Sequence, residues 1–368
     1  MQYSDLKYAI LATLSYFHIF QYPLSDLEIW KMLFQENPSS QSFGETNKTQ
    51  KHENQNSNDN ISLIEIRRAI EELKQKKIIE EKNGFYFLAY SRRGEKYANA
   101  GNMAATRMER SRLAEKKYKK ALRVIKILRC IPFVKMIGVC NSLSYNNACE
   151  ESDIDIFIIS SAGKIWTTRL IAAGILKILR LRPTETNSKD KICASFFISE
   201  GNLNLEKIQI IPPLLKEGTG GISLCDNPAN VKRTNSLRYH IDIYLLYWIA
   251  TLVPIYDKKE TYAKFIAANR WIKNSLPNWE QYKNLERRIT SNKILSLPFY
   301  LLTLFIPENL SKKIQMRIMP DHLKRMANKD TQVITTDCML KFHDKDRREV
   351  YYEEWQSMIN RIKESLKI

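Results

Sequence analysis

Apolar positions recur along the chain in two rhythms. Between residues 4 and 20, Leu6, Ile10, Leu11, Leu14 and Phe17 fall three or four apart, the spacing that lines one face of a helix. Pro23 ends that run. Ser25 is placed to cap a second helix over 26–34, and Ser62 a third. In the third, Ile66, Ile70 and Leu73 share a face while Arg67, Arg68, Lys74 and Lys76 lie towards another. Residues 78–88 then change to short apolar runs about Asn83-Gly84, a pair that favours the tight turn of a hairpin. Residues 35–60, between the second and third helices, are rich in Asn, Gln, Ser, Lys and Glu with few apolar positions. Such a stretch cannot bury enough surface to order itself, so a flexible insertion is expected.

Three helices followed by a hairpin resembles a winged helix, and residues 1–100 are read as one such module. Winged helices often set the third helix in a DNA groove, which Arg67, Arg68 and Lys74 would permit. A docking element with a solvated charged face fits the same pattern. Residues 103–129 continue as a helix carrying ten Lys or Arg against Glu109 and Glu115. Its stripe of Leu113, Leu122, Ile125 and Leu128 suits packing against the domain that the helix precedes. This basic linker helix, 101–130, could guide nucleic acid or nucleotide, or could be a solvated face.

Further on, Asp153-Ile-Asp155-Ile-Phe-Ile-Ile159 and Ile192-Cys-Ala-Ser-Phe-Phe-Ile198 are strands by pattern. Residues 164–181 form an apolar helix with Trp166 and Arg169 in its first turns. Residues 211–222 combine Pro and Gly without periodicity, and their spacing does not fit a phosphate-binding Gly-x-x-x-x-Gly-Lys loop. They read as a surface loop. Residues 236–252 are apolar and aromatic, and His240 within them reads as a core histidine. Further helices are expected over 260–274, within 280–305 and over 347–367, with an extended segment at 333–337. The polar cluster at 341–348, with His343, holds a possible general base or is a charged surface turn.

Composition changes this picture in two places. The chain has 368 residues and 58 Lys or Arg against 40 Asp or Glu, a formal charge of +18. That surplus favours a polyanionic partner and says nothing of fold. The six cysteines show neither Cys-x-x-Cys pairing nor regular spacing, so no zinc site or disulfide framework is indicated and a reducing cytoplasm is the expected location. No apolar run reaches the roughly eighteen residues of a membrane span, and no transmembrane segment is expected.

The candidate chemistry lies between residues 137 and 159. Alternate residues of a strand share a face, so Asp153 and Asp155 project side by side, about 7 Å apart at the backbone. Two like charges that close repel unless a cation sits between them, and paired carboxylates are hard ligands suited to Mg²⁺ or Mn²⁺. Upstream, Gly138-Val-Cys-Asn141-Ser142 reads as a turn opening a short helix, where free N–H groups would favour phosphate. A Gly-Ser-like turn, a spacer of about ten residues and Asp-x-Asp on a strand resemble the signature of the DNA polymerase beta-like nucleotidyltransferase superfamily.

The resemblance implies that Asp153 and Asp155 are catalytic and carry Mg²⁺, and that Ser142 and its turn, with Gly138 and Asn141, bind the nucleotide. Asn141 stands where the family has Gly; Asn tolerates a left-handed backbone, so the turn can survive. Arg169 is either a triphosphate contact or an ion-paired surface residue. The family's third carboxylate comes from a later strand; here 192–198 contains no acid, which leaves Asp190 before it and Glu200 after it as candidates, with Glu206 a poorer one.

The expected class is therefore α+β: a winged helix, a polymerase beta-like nucleotidyltransferase α/β core with a mixed sheet over 131–235, and a C-terminal helical region over 236–368. The expected function is metal-dependent transfer of a nucleoside monophosphate from a nucleoside triphosphate to a hydroxyl acceptor, which could be a polymer or a small molecule. The alternative is a catalytically impaired nucleotidyltransferase fold serving as a nucleic-acid- or nucleotide-binding regulator.

Overall fold

The computed structural model describes residues 3–36, 61–89, 100–184, 186–210, 241–283, 286–290, 300 and 306–366. Most of the expected insertion, the loop at 211–222 and His240 lie outside the described residues. The chain is a mixed α+β structure. Its N-terminal elements are α1 (Tyr3–Ile19), α2 (Asp26–Lys31), α3 (Leu63–Gln75), β1 (Ile79–Lys82) and β2 (Phe85–Leu88). Ser25 and Ser62 each accept from the backbone N–H three residues on, and Glu28 and Glu65 reach back, so both helices begin in a capping box. Asn83 and Gly84 both take positive φ, 55° and 78°, the backbone that a two-residue hairpin turn requires. Leu24 exchanges two backbone hydrogen bonds with Tyr86, adding a third short rung to the hairpin.

The long basic helix is α4 (Ala100–Leu128), and three of its cations turn inward as ties. Arg107 grips Glu28 at 2.6 and 2.8 Å, bonds the Pro23 carbonyl, and lies between the rings of Tyr22 and Phe85. Arg110 donates to the Phe20 carbonyl and to Asn147. Lys117 is buried and donates to the carbonyls of Glu150 and Ser152 and to Asp190. Arg112, Lys116, Lys119, Arg123 and Lys126 remain exposed. On α3, Arg67 pairs with Asp26 and Lys74 with Glu71.

The central sheet has six strands in the order β6-β3-β4-β5-β8-β7. These are β3 (Val134–Val139), β4 (Ile154–Ser160), β5 (Ile192–Ser199), β6 (Val253–Asp257), β7 (Val333–Thr335) and β8 (Met339–Phe342). The β4/β5 pair is parallel and the other four pairs are antiparallel, so the sheet is mixed. Helices α5 (Asn141–Ser144) and α6 (Ile165–Ile178) join these strands, and α7 (Ile243–Thr251), α8 (Thr261–Ala268), α9 (Glu308–Ile318), α10 (Asp321–Met326) and α11 (Arg348–Leu366) follow. Half the strands of this sheet thus come from the region expected to be helical. Pro254 sits on β6, at the end of the strand order, where a residue without an N–H is tolerated. β7 falls within the extended segment expected at 333–337, whereas β8, four residues long, is too short for alternation to announce it.

Strand β4 separates two apolar layers. Phe157 and Ile159 face a core built with α1, α3, α7 and α11, whereas Ile154, Ile156 and Ile158 face one built with α4 and α6. The N-terminal elements do not stand apart from the sheet. Trp355 of α11 donates to the Ala12 carbonyl at 2.9 Å, and Tyr247 of α7 to the Met32 carbonyl at 2.9 Å. Among the described residues no helix is long and apolar enough to cross a membrane. Cys130, Cys140, Cys149 and Cys193 are free thiols, while Cys338 is disulfide-bonded, so the expectation of reduced cysteines does not hold there.

A buried ionic cluster locks α7 to α11. Arg348 donates to Asp242 at 2.8 Å and to Asp346 at 2.9 Å, and Lys341 donates to Asp346 at 2.7 Å. Asp242 also caps α7 by accepting from Leu245 N. Removing one partner of such a buried pair strands the other charge, which costs about 3–5 kcal/mol. Arg348→Met is expected to lose stability of that order in urea denaturation; a loss under about 1 kcal/mol would show that the cluster is not a structural lock.

Candidate metal centre and adjoining cavity

The turn that leaves β3 returns the chain to the end of β4 where the two carboxylates stand. Cys140 N donates to the Asp155 carbonyl at 3.2 Å, closing the β3/β4 pair beside the turn. Asn141 takes φ +56°, the left-handed backbone that Asn tolerates better than most side chains. Its side chain then does what glycine could not: it hydrogen-bonds Asp155, while its Oδ1 accepts from Tyr244 Oη at 3.1 Å. Ser142 comes next, in the lining of a cavity. Because α5 has four residues, a helix dipole adds little here; any phosphate contact rests on the turn's own backbone and side chains.

Asp153, Asp155 and Cys193 form a group that could hold a metal ion, each offering one donor atom within 4.8 Å of the others. Cys193 arrives because β5 runs parallel to β4 with Cys193 opposite Asp155. Burial pushes Asp155 up to about 7, and the charge of Asp153 adds to this against the hydrogen bonds from Asn141 and Cys193. Asp153 is also raised by burial, in part offset by its own backbone, by Cys193 and by the charge of Lys117. Burial holds the Cys193 thiol well above its usual range, and both carboxylates add to the effect. Beyond it, Cys193 Sγ lies 3.5 Å from Ser195 Oγ, and Ser195 shares a 2.6 Å hydrogen bond with His343 Nε2. Burial pushes His343 down to about 3, and the nearby Lys341 reinforces this, so the imidazole is neutral.

The structure does not bring every expected site residue here. Glu200 lies past the far end of β5, roughly 20 Å along the strand from Cys193, where it pairs with Lys135 at 3.1 Å and accepts from Ala162 N. Asp190 is at the correct end, but its carboxylate faces Lys117 at 2.6 Å and is absent from the three-donor group. Arg169 is on the other face of the sheet. Helix α6 packs on the layer of Ile154, Ile156 and Ile158, and Arg169 there bonds Gln315 at 2.6 Å and lies over the Phe342 ring. Gly138 is within β3, not in the turn; a Cβ there would stand 2.9 Å from Leu252 Cδ1, so glycine serves close packing. Glu206 lies in a short 3₁₀ turn after β5 and is likewise outside the three-donor group.

Several contributors went unread in the sequence. Cys193 looks like a small apolar residue of a strand, and only the β4/β5 register reveals its neighbours. Lys117 did leave a signal, since it falls on the same helical face as Ala114, Tyr118 and Ala121. It holds residues 150–152 just ahead of Asp153. Against the turn, α1, α7 and α11 enclose a cavity of about 240 Å³ reaching Asn141 and Ser142. Compared with protein-family models, with curated proteins and with solved structures, the chain has no match in any of the three.

The raised carboxylate makes stability depend on pH. An acid whose folded value exceeds its unfolded one leaves stability intact below the unfolded value and erodes it as pH rises to the folded value. For Asp155 that window runs from 3.8 to about 7. In EDTA, Asp155→Asn is expected to melt higher than wild type at pH 8 and to lose this advantage at pH 4; the same difference at both pH values would contradict the assignment.

Proposed function

We propose that the chain is a divalent-metal-dependent nucleotidyltransferase of the polymerase beta-like kind, moving a nucleoside monophosphate from a nucleoside triphosphate onto a hydroxyl acceptor. One observation carries this reading: two carboxylates at period two on the end of β4 meet a left-handed Asn-Ser turn on the same face of the sheet. Asp153 and Asp155 fit a hard divalent cation such as Mg²⁺ or Mn²⁺, because paired carboxylates with one value already raised to about 7 gain from a counter-charge. When bound, such an ion supplies neutralisation of the charge that develops at a transferring phosphoryl group. Asn141 and Ser142 then orient the phosphates, with Tyr244 and Asp155 fixing the Asn141 amide from both sides.

Cys193 stands beside Asp155 where the resemblance leads one to expect a third carboxylate. A protonated thiol does not replace an anionic oxygen ligand, and this favours, as the second reading, a fold that binds nucleotide without transferring it. The N-terminal helices and hairpin fit a winged helix, and the exposed cations of α4 would supply a nucleic-acid contact in either case. The ties of Arg107, Arg110 and Lys117 remove three cations from that role.

Nucleoside triphosphates labelled at the α-phosphate, incubated with Mg²⁺ or Mn²⁺ and RNA, DNA or cell extract, separate the readings. Transfer by the wild type is expected, falling by about 10²-fold or more in Asp153→Asn. Metal-dependent triphosphate binding without transfer would leave the second reading, and neither binding nor transfer would overturn both.

A further inference from the structure

The cavity beside the turn has a make-up that phosphate handling does not call for. Among the described residues, eight aromatic rings line it and no Lys, Arg, Asp or Glu does. A triphosphate finds no counter-charge there, whereas a neutral ring finds faces on which to stack. Two stacked pairs are already assembled in its lining. Tyr16 stacks on Tyr247 with centroids 4.3 Å apart and an interplanar angle of 25°, and Tyr244 stacks on Tyr351 at 5.5 Å and 19°.

The hydroxyls sort into two sets. Those of Tyr145, Tyr244, Tyr247 and Thr251 are spent on Asn147, Asn141 Oδ1, the Met32 carbonyl and the Tyr247 carbonyl. Those of Tyr16 and Tyr351 are in no hydrogen bond among the described residues; Tyr16 is only 4 % exposed and Tyr351 is half-buried. Two tyrosine hydroxyls left over at one cavity, one from α1 and one from α11, are available to polar atoms that a ligand brings. At about 240 Å³ the space falls below the ~300–1,000 Å³ of drug-sized sites. It suits a single ring system and not a strand of nucleic acid.

We propose that this cavity binds an uncharged heteroaromatic ring of the kind a nucleoside carries, with α1 of the N-terminal elements forming one wall. The inference deepens the nucleotidyltransferase reading and rests on it for the source of the ring, which is either the base of the nucleoside triphosphate or a ring of the acceptor. It makes the N-terminal elements part of the site, since Tyr16 and Phe17 of α1 and Phe20 just after it line the cavity.

Calorimetric titration of the full chain with adenosine, guanosine, cytidine and uridine tests it, with intrinsic tryptophan fluorescence, to which Trp248 in the cavity lining contributes, as a second readout. At least one nucleoside should bind, and Tyr16→Phe/Tyr351→Phe, which keeps both rings and removes two hydroxyls, should weaken it about tenfold. Inorganic tripolyphosphate with Mg²⁺ should bind that variant as it binds wild type, and equal melting temperatures would exclude misfolding. Failure of all four nucleosides to bind the folded protein would overturn the proposal, as would unchanged nucleoside affinity in the variant.

The outcomes separate the two claims. Nucleosides that bind while tripolyphosphate does not would keep the cavity and remove the phosphate reading; tripolyphosphate alone binding would do the reverse. Competition between a nucleoside and its triphosphate assigns the ring to the nucleotide, and simultaneous binding assigns it to the acceptor.

Discussion

Strand β4 is buried on both faces, and that constraint organises the molecule. Its residues alternate between two apolar layers, so a shift of one residue would send every side chain to the wrong side. The pattern fixes Phe157 and Ile159 towards α1, α7 and α11, and Ile154, Ile156 and Ile158 towards α4 and α6. Asp153 and Asp155 inherit the first of these directions. They therefore emerge on the face that also carries the Asn141 turn and the aromatic cavity. The site is a continuation of the core packing at the point where the strand runs out of apolar residues.

The elements around that strand act as its supports. Cys193 comes beside Asp155 through the parallel β4/β5 register. Lys117 holds the approach to Asp153 from α4, and Arg107 ties the same helix to α2. The buried cluster of Arg348, Asp242, Asp346 and Lys341 sets the start of α7, and α7 places Tyr244 on Asn141. Part of the chain's cationic surplus is thus spent on internal ties, which weakens any argument from net charge to a polyanionic partner.

Local signals were legible in the residues themselves. Ser25 and Ser62 cap helices, Asn83-Gly84 turns a hairpin, Asn141 takes a left-handed backbone, and Asp153 and Asp155 share a face; each is set by a few neighbouring residues. What was not legible needed knowledge of which layer an element joins. Arg169 opens a helix after the carboxylate strand, and nothing in its neighbours tells that α6 covers the opposite face. Glu200 comes after an apolar strand just as a third carboxylate might, but the parallel register places it at the far end. β6 and β8 are too short or too proline-marked to show alternation; with β7, which the extended segment at 333–337 did signal, they complete the sheet from a region that otherwise reads as helical. The cavity could not be foreseen at all, because its rings come from segments more than 300 residues apart, Tyr16 and Tyr351.

If Asp153 and Asp155 act with the turn as one cation-dependent centre, electron paramagnetic resonance of Mn²⁺, with and without a nucleoside triphosphate, will show it. Loss of the free-ion signal is expected with wild-type protein, with a further change when the nucleotide is added, and neither with Asp155→Asn. Equal Mn²⁺ binding by the wild type and the variant would contradict such a centre.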